Sequence, residues 1–461
     1  MSRVVIVGGG LAGIAAAMRL ARNGLKPILI ESRKKLGGRA TSFIDPRTNE
    51  VLDNCQHVVM GCCTNLLALY SELGVLDRIQ WHGATYWANP PHAHDRLQAG
   101  WFPAPTHFTE SFLKLRMLSV GDKVSIARAM WRLIRMGRAG RLAWRGRTFL
   151  EFLIETRQTQ RACELFWEPI VVSSCNLPCS RVDAPCAMQV MQEGFLSHRF
   201  ASAMGLSTVP LLSLYDAAQS KIEAAGGSVR LGVSAQSLAF DGRRVTGVVT
   251  DEGLVEGASF VIAVPCDRLD RLCSESMKKA DRRLQHLAEI RHSPILGVHL
   301  VYASPVLNTP HLVLPGRPTQ WLFNKGTDSN GRQMIHAVIS AADDWMEFSE
   351  SEIARRVHED VQWACPKAVG LPPHSVRSVK ERRATFAAIP GCHDLRPSAR
   401  ADALGGIDNL VLAGDWCDTG WPATMEGAVR SGFTAAAVCI GHGGQEPDLP
   451  IAPLARWMGL R

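Results

Sequence analysis

The chain opens on a short apolar run, residues 3–8 (RVVIVG), bounded by glycine and too short for a helix; it predicts a buried parallel strand. Residues 11–23 are rich in Ala and Leu at helical spacing and stop before Gly24, so a helix is expected there. A second apolar run, residues 26–31 (KPILIE), predicts the next strand. Strand, glycine-rich turn, helix and strand within about 30 residues make a βαβ unit, and with it a parallel α/β sheet.

After residue 80 the texture turns to Trp, His and Pro, then to a basic helical stretch and further helix to residue 205. From Gly227 it reads as strand: SVRLGV, a hairpin around Asp241-Gly242-Arg243, VTGVVT and SFVIAVP. Residues 285–400 mix strands with helices, and 409–414 (NLVLAG) predict a last strand running through a loop into a helix at 423–440. No repeat, low-complexity tract or linker interrupts the chain. The pattern predicts a discontinuous α/β domain from 1–80, 206–285 and 401–445, interleaved with an α+β domain from 81–205 and 286–400.

At 461 residues, 46% apolar and 20% charged, the chain can bury a sizeable core and lies far from the disordered class. No apolar run approaches the roughly 18–20 residues that cross a bilayer, and no secretory signal is read at the N-terminus. Of thirteen cysteines, several fall inside helix or strand patterns (Cys163, Cys273, Cys439), and Cys175-x3-Cys179 lacks a second pair at ligand spacing. Reduced thiols, a cytoplasmic location and no metal site are therefore expected. The net charge of +8 is concentrated: residues 114–147 hold ten Lys or Arg against Asp122 alone. Basic residues there alternate with Trp131, Leu133, Ile134, Leu142 and Trp144. The segment reads either as a solvated helical face or as a contact for an anionic surface, such as the inner face of the cell membrane. No nucleic-acid partner is expected.

Gly8-x-Gly10-x-x-Gly13 follows the first strand and opens the helix. The first glycine suits a tight turn, the second lets backbone approach a pyrophosphate, and the third allows close helix–strand packing. The helix N-terminus then offers free N–H groups to phosphate. Glu31 ends the second strand, placed to bond ribose hydroxyls. A second glycine turn, Gly37-Gly38-Arg39-Ala40, adds a guanidinium suited to a diphosphate and favours FAD over NAD.

That doublet resembles the flavin amine oxidase and phytoene desaturase superfamily, as do Ala263-Val264-Pro265 and Gly414-Asp415 at two strand ends. The resemblance implies a Rossmann-like, GR2-type FAD-binding fold, with Asp415 at the ribityl–phosphate region and Val233 meeting the adenine. It also implies Met425 at the flavin and the following helix aimed at its ring. Three strings narrow it: Asp53-Asn54-Cys55-Gln56-His57; Phe166-Trp167-Glu168-Pro169 with Asn176; and DWCDTGWPATMEGAVRSG over 415–432. Together they are similar to hydroxysqualene dehydroxylase of hopanoid synthesis, from Met1 to about Ile440, with Cys55 departing from an expected glycine.

The resemblance implies reductive removal of a hydroxyl from a long apolar isoprenoid. Protonation of the leaving oxygen would be assigned to His57, with Trp81, Trp87, Trp101, Trp167 and Trp321 as candidate aromatic walls. Glu426 reads as a helix-cap or flavin-loop residue and Asp53 as ordering its own loop. Carotenoid-type desaturation, amine oxidation and a non-catalytic lipid carrier on a flavin fold stay open. No second GxGxxG follows a strand, which leaves the electron donor unassigned.

Overall fold

The N-terminal apolar runs form β1 (Arg3–Val7) and β2 (Lys26–Glu31), joined by α1 (Leu11–Arg22). In the computed structural model, which describes residues 3–401 and 405–461, these open a five-stranded sheet. Residues 1–2 and 402–404, inside the expected cofactor-domain segments, lie outside the described residues. The strand order is Ser228–Leu231, β2, β1, Ser259–Ile262, Leu410–Leu412, and every pairing is parallel. Strands from the two ends of the chain, separated only by Ser259–Ile262, thus bring their carboxyl ends to one edge of the sheet, where doubly wound folds place their ligands.

The sheet is covered by α1 and by the helix Met425–Ile440. Alanines at 12, 15, 16 and 17 are fully or nearly fully buried, and they let the two helices approach closely. A side chain at Gly432 would lie 2.3 Å from the Ala12 carbonyl oxygen. The hairpin around Asp241–Arg243 is present, between antiparallel strands Ala235–Phe240 and Val245–Thr250, with Gly253–Glu256 completing a separate three-stranded sheet.

The second body holds a seven-stranded sheet whose centre is formed by His292–Tyr302, Gln333–Ser340 and Trp321–Thr327. Helix Glu350–Ala364 packs on one face through Ile353, Val357 and Val361. A small antiparallel sheet of Val58–Met60, Met204–Ser207 and Ile79–His82 stands between the two bodies. The boundaries expected at 80/81 and 205/206 fall inside this sheet.

Two local expectations shift. Val233 lies beyond the end of its strand rather than in it, and its N–H already donates to the Glu31 carbonyl (3.1 Å). Only the Val233 carbonyl is left for a partner such as adenine. The basic segment contains one long helix, Val120–Gly140, started by a Ser119–Asp122 capping box and broken at Gly137 (φ 64°). Five of its ten cations are neutralised locally: Lys114 by Glu110, Arg116 by Asp95, Arg138 and Arg141 by Glu193, and Arg147 by Glu151 and Glu155. Effective positive charge is therefore about half what the local composition implies.

Gly432→Ala should force the closing helix off α1 and destabilise the fold by about 1–3 kcal/mol. A thermal midpoint equal to that of the unaltered protein would show that the helices are not packed this tightly.

Candidate functional site

A cavity of about 710 Å³ opens at the carboxyl end of the five-stranded sheet and runs into the second body. Its floor is the double glycine turn. Gly8 has φ +108°, and a side chain there would strike the Ala263 carbonyl at 2.6 Å. A Cβ on Gly13 would fall 1.9 Å from the Gly8 oxygen, so helix and strand can cross only without side chains. Gly10 differs: a Cβ there would meet nothing nearer than the Gly38 Cα at 3.9 Å, and Gly10 itself lines the cavity. What a side chain at Gly10 would obstruct is space reserved for a ligand.

Glu31 fastens this floor. Its Oε2 accepts the Gly9 N–H (2.6 Å) and its Oε1 the Arg33 N–H (2.8 Å), while the carboxylate still borders the cavity. Lone pairs remain for hydroxyl donors. Arg39 lies less free than its position in the sequence suggests. It pairs with Asp415 (2.5 Å) and donates to the Ala384 carbonyl (2.7 Å), joining the second glycine turn to the end of the last strand. The pair offsets the Asp415 charge where phosphate would approach. Further cations come from side chains the motifs do not mark: Arg33, Arg268, Arg271 and Arg383 also line the cavity, and Arg268 has no carboxylate partner among the described residues.

Two helix N-termini border the same space, α1 through Gly10, Leu11 and Ala12, and the closing helix through Thr424 and Met425. Thr424 caps the latter by accepting the Gly427 N–H (3.0 Å). Both add partial positive charge suited to an anionic cofactor. Gly414 holds φ +147° with Trp416 packed over it, and its N–H donates to the Ser431 hydroxyl (2.8 Å). Gly38 has φ +63° and packs on Gly10, while Gly37 donates its N–H to the Gly9 carbonyl (2.9 Å). The glycine cradle, the cationic rim and the paired helix ends fit a dinucleotide diphosphate.

At the far end stand Cys55, Gln56, His57, Val58, Ser173 and Ile295. Cys55 takes φ +60°, which explains why glycine is expected at that position; the sulfur is buried against Gly297. The His57 Nδ1 lies 3.3 Å from the Cys55 carbonyl, and burial lowers the imidazole's pKa from its ordinary value. Behind it, Lys325 approaches Asp53 and Gln56 (both 3.4 Å), and His299 contacts the Asp53 carbonyl (3.2 Å) while stacking on His336. Asp53 does more than order its own loop. Its Oδ1 accepts from Ser42 and from the Leu211 N–H, binding three chain segments together.

Val58, Met204, Leu206, Ile295, Trp321, Phe323 and Val338 form an apolar cluster adjoining His57. Of the tryptophans considered as walls, Trp321 alone belongs to this cluster; its Nε1 donates to Ser173 (2.5 Å) and its ring stacks on Phe323. Trp87 and Trp167 are fully buried core, Trp81 packs on Phe200, and Trp101 is 94% exposed. Glu426, fully buried, caps the helix Thr64–Leu73 by accepting the Asn65 and Leu66 N–H groups and pairs with Arg430. Glu168 accepts the Cys179 N–H. Lys325, His299, His336 and the four extra arginines were not legible as site residues, because strands of the other body bring most of them in.

The profile of the flavin containing amine oxidoreductase family matches residues 11–440. A 15-cis-phytoene desaturase of Narcissus pseudonarcissus is 27% identical over 454 residues, covering 94% of this chain and 78% of that protein. Hydroxysqualene dehydroxylase of Rhodopseudomonas palustris is 26% identical over 455 residues, covering 96% of this chain and 100% of that protein. Among solved structures, an oxidoreductase from Methanosarcina mazei superposes with a TM-score of 0.72 at 16% identity, covering 93% of this chain and 98% of that one. Putrescine oxidase bound to putrescine gives 0.67 at 18% identity, covering 96% and 99%. The structural likenesses establish the shared fold. With the family match, they identify the cofactor as FAD.

Gly10→Trp should abolish flavin binding while the chain still folds; a full flavin absorption band in that variant would rule out the assigned cradle. Acid should act through the histidines. Burial holds His299 and His311 at about 4 and pushes His57 and His336 downward, against an ordinary value of 6.5. Below 6.5 the unfolded chain takes up protons that the folded one refuses. Stability from these groups is complete above 6.5 and is lost as pH falls toward 4. His311→Phe should flatten the fall in thermal midpoint across that window; an unchanged slope would free His311 of any part in it.

Proposed function

The chain belongs to the flavin containing amine oxidoreductase family, and we propose that it reductively dehydroxylates hydroxysqualene to squalene. The observation that carries this reading is the apolar cluster beside His57, of which Val58 and Ile295 line the inner end of the FAD cavity while Leu206, Trp321 and Phe323 pack with them. An apolar chain with one polar group matches such a wall, whereas a small charged amine would leave it unsatisfied. The dehydroxylase relative also aligns over its whole length, 100%, against 78% for the Narcissus desaturase.

When bound, FAD supplies hydride chemistry. The balance of the reaction, an alcohol plus hydride and proton giving hydrocarbon and water, leaves the chain three tasks: hold the apolar substrate, exclude bulk water and deliver a proton to the departing oxygen. His57 is assigned the last task. As burial keeps it neutral at pH 7, it must be charged during turnover; a cation formed there is a stronger acid than an exposed imidazolium. Asp53 acts electrostatically on it in favour of the charged form.

Carotenoid-type desaturation remains the second reading, favoured by the repeated desaturase relatives at 25–27% identity. Anaerobic reduced enzyme mixed with hydroxysqualene decides between them: flavin reoxidation with squalene formation is expected. Flavin reduction with new double bonds in a polyprene would reverse the direction. His57→Ala should slow turnover roughly 10²–10⁴-fold with flavin content intact, and full activity would remove His57 from proton delivery.

The substrate's apolarity also motivates membrane docking through the basic helix. Val120 (78% exposed) and Trp131 (50%) share its solvent face with Arg128, Arg132 and Arg135, and Trp457 (80%) lies on the C-terminal helix packed against it. Among the described residues none of these three arginines has a carboxylate partner, and no described helix is long and apolar enough to cross a membrane. This is the mixture of an interfacial helix, with about 1 kcal/mol per basic residue near an anionic surface. Flotation with phosphatidylglycerol liposomes at low salt should carry the protein upward, and Arg128, Arg132 and Arg135 changed together to Gln should release it. Equal flotation of the variant would reject the surface.

A further inference from the structure

Away from the flavin cavity, four side chains with metal-ligand chemistry converge where the helical layer meets the segment leading into the C-terminal flavin loop. Asp183 is the N-cap of the helix Ala184–Met191, and Cys186 stands in its first turn. Cys392 and His393 open the short helix Cys392–Leu395. One donor atom from each, a carboxylate oxygen, two sulfurs and an imidazole nitrogen, lies within 4.8 Å of all the others. Asp183 is fully buried, and Cys186 and Cys392 are 2% and 5% exposed.

The surrounding backbone holds the two halves in place. The Asp183 N–H donates to the Ala388 carbonyl (2.7 Å), and its Oδ1 accepts the Gly146 N–H (3.0 Å). The other carboxylate oxygen, Oδ2, is buried and makes no hydrogen bond. The His393 Nε2 lies only 3.1 Å from it, near enough for an ion pair but not aligned as a donor. A buried carboxylate oxygen left this way is costly unless something cationic completes it; Asp183, with Cys186, raises the His393 pKa to about 9, so an imidazolium fills that place until a metal ion displaces its proton.

We infer that Asp183, Cys186, Cys392 and His393 form a structural zinc site. Two thiolates, an imidazole and a carboxylate are the donors zinc accepts, and they are too soft for calcium or magnesium. With Zn–N and Zn–O near 2.0–2.1 Å and Zn–S near 2.3 Å, tetrahedral edges are about 3.3 Å for N–O and about 3.6 Å for N–S. The corresponding separations here are 3.1 Å and 4.0 Å. Small side-chain adjustments close the site around one ion. Four protein ligands leave no open position, which marks a structural rather than a catalytic centre.

On binding, the ligands shed their remaining protons to solvent, so that both sulfurs ligate as thiolates and His393 as a neutral imidazole. Two thiolates and a carboxylate around Zn²⁺ leave one net negative charge, and Arg396, buried three residues after His393, acts electrostatically on both sulfurs. The same guanidinium donates to the carbonyls of Cys417 (2.5 Å) and Trp421 (2.8 Å). The ion would therefore pin the segment from which the flavin loop hangs. A Cys186–Cys392 disulfide would account for the sulfurs alone and leave Asp183 paired only with His393.

The test uses the full-length flavin-loaded protein, purified under reducing conditions without chelator and offered Zn²⁺. Elemental analysis should find about one zinc per chain. Cys186→Ser with Cys392→Ser, and separately the milder His393→Gln, should lower zinc content tenfold or more, whereas Cys175→Ser with Cys179→Ser should not. Should the site variants fail to fold, the unaltered protein loaded with Co²⁺ still decides: intense tetrahedral d–d bands with thiolate charge transfer are expected. Less than a tenth of an equivalent of zinc, zinc unaffected by the substitutions, an octahedral cobalt spectrum, or an intact Cys186–Cys392 disulfide in the native protein would each overturn the site.

Discussion

The ion pair of Arg39 with Asp415 joins parts of the chain 376 residues apart at the cavity itself. Asp415 is almost fully buried, so without a partner its charge would be expelled from the fold or neutralised by protonation. With Arg39 in place, a carboxylate can stand at the end of the last strand without repelling a diphosphate. The pair also holds the second glycine turn against the terminus of the sheet, which sets where both helix N-termini point. Cofactor binding and the closure of the discontinuous domain thus rest on one contact.

The cavity changes character along its length. Near the sheet it is ringed by glycines, arginines and helix ends, and electrostatics governs what it accepts. Beside His57 the lining includes the aliphatic Val58 and Ile295, which pack with Trp321 and Phe323 and are backed by buried histidines that stay neutral. Low polarity there strengthens any charge that does form and keeps water from competing. Lys325, near Asp53 and Gln56, lies behind the His57 loop and adds positive charge there.

Local patterns were readable because their physics is local. Short apolar runs and helical spacing located β1, α1 and β2, and the Gly8–Gly13 spacing marked a turn that only glycine allows, since the atoms it avoids lie within a few residues or on the adjoining strand. The glycine expected at position 55 was likewise legible, and the left-handed backbone of Cys55 supplies its reason. Charge was less readable. Composition counted ten cations between 114 and 147, but could not foresee that Glu193 would bridge Arg138 and Arg141, or that Asp95 would take Arg116.

By itself, the sequence determined the dinucleotide fold and the glycine cradle, because backbone sterics and apolar periodicity act over a handful of residues. Only the tertiary structure decided which charges meet, which tryptophan packs with the residues beside His57 and which histidines are buried. It alone brought Asp183 and Cys186 to Cys392 and His393, more than 200 positions away. Such pairings depend on strand order and on how the interleaved segments close upon one another. Those are properties of the packed chain, and no window of sequence contains them.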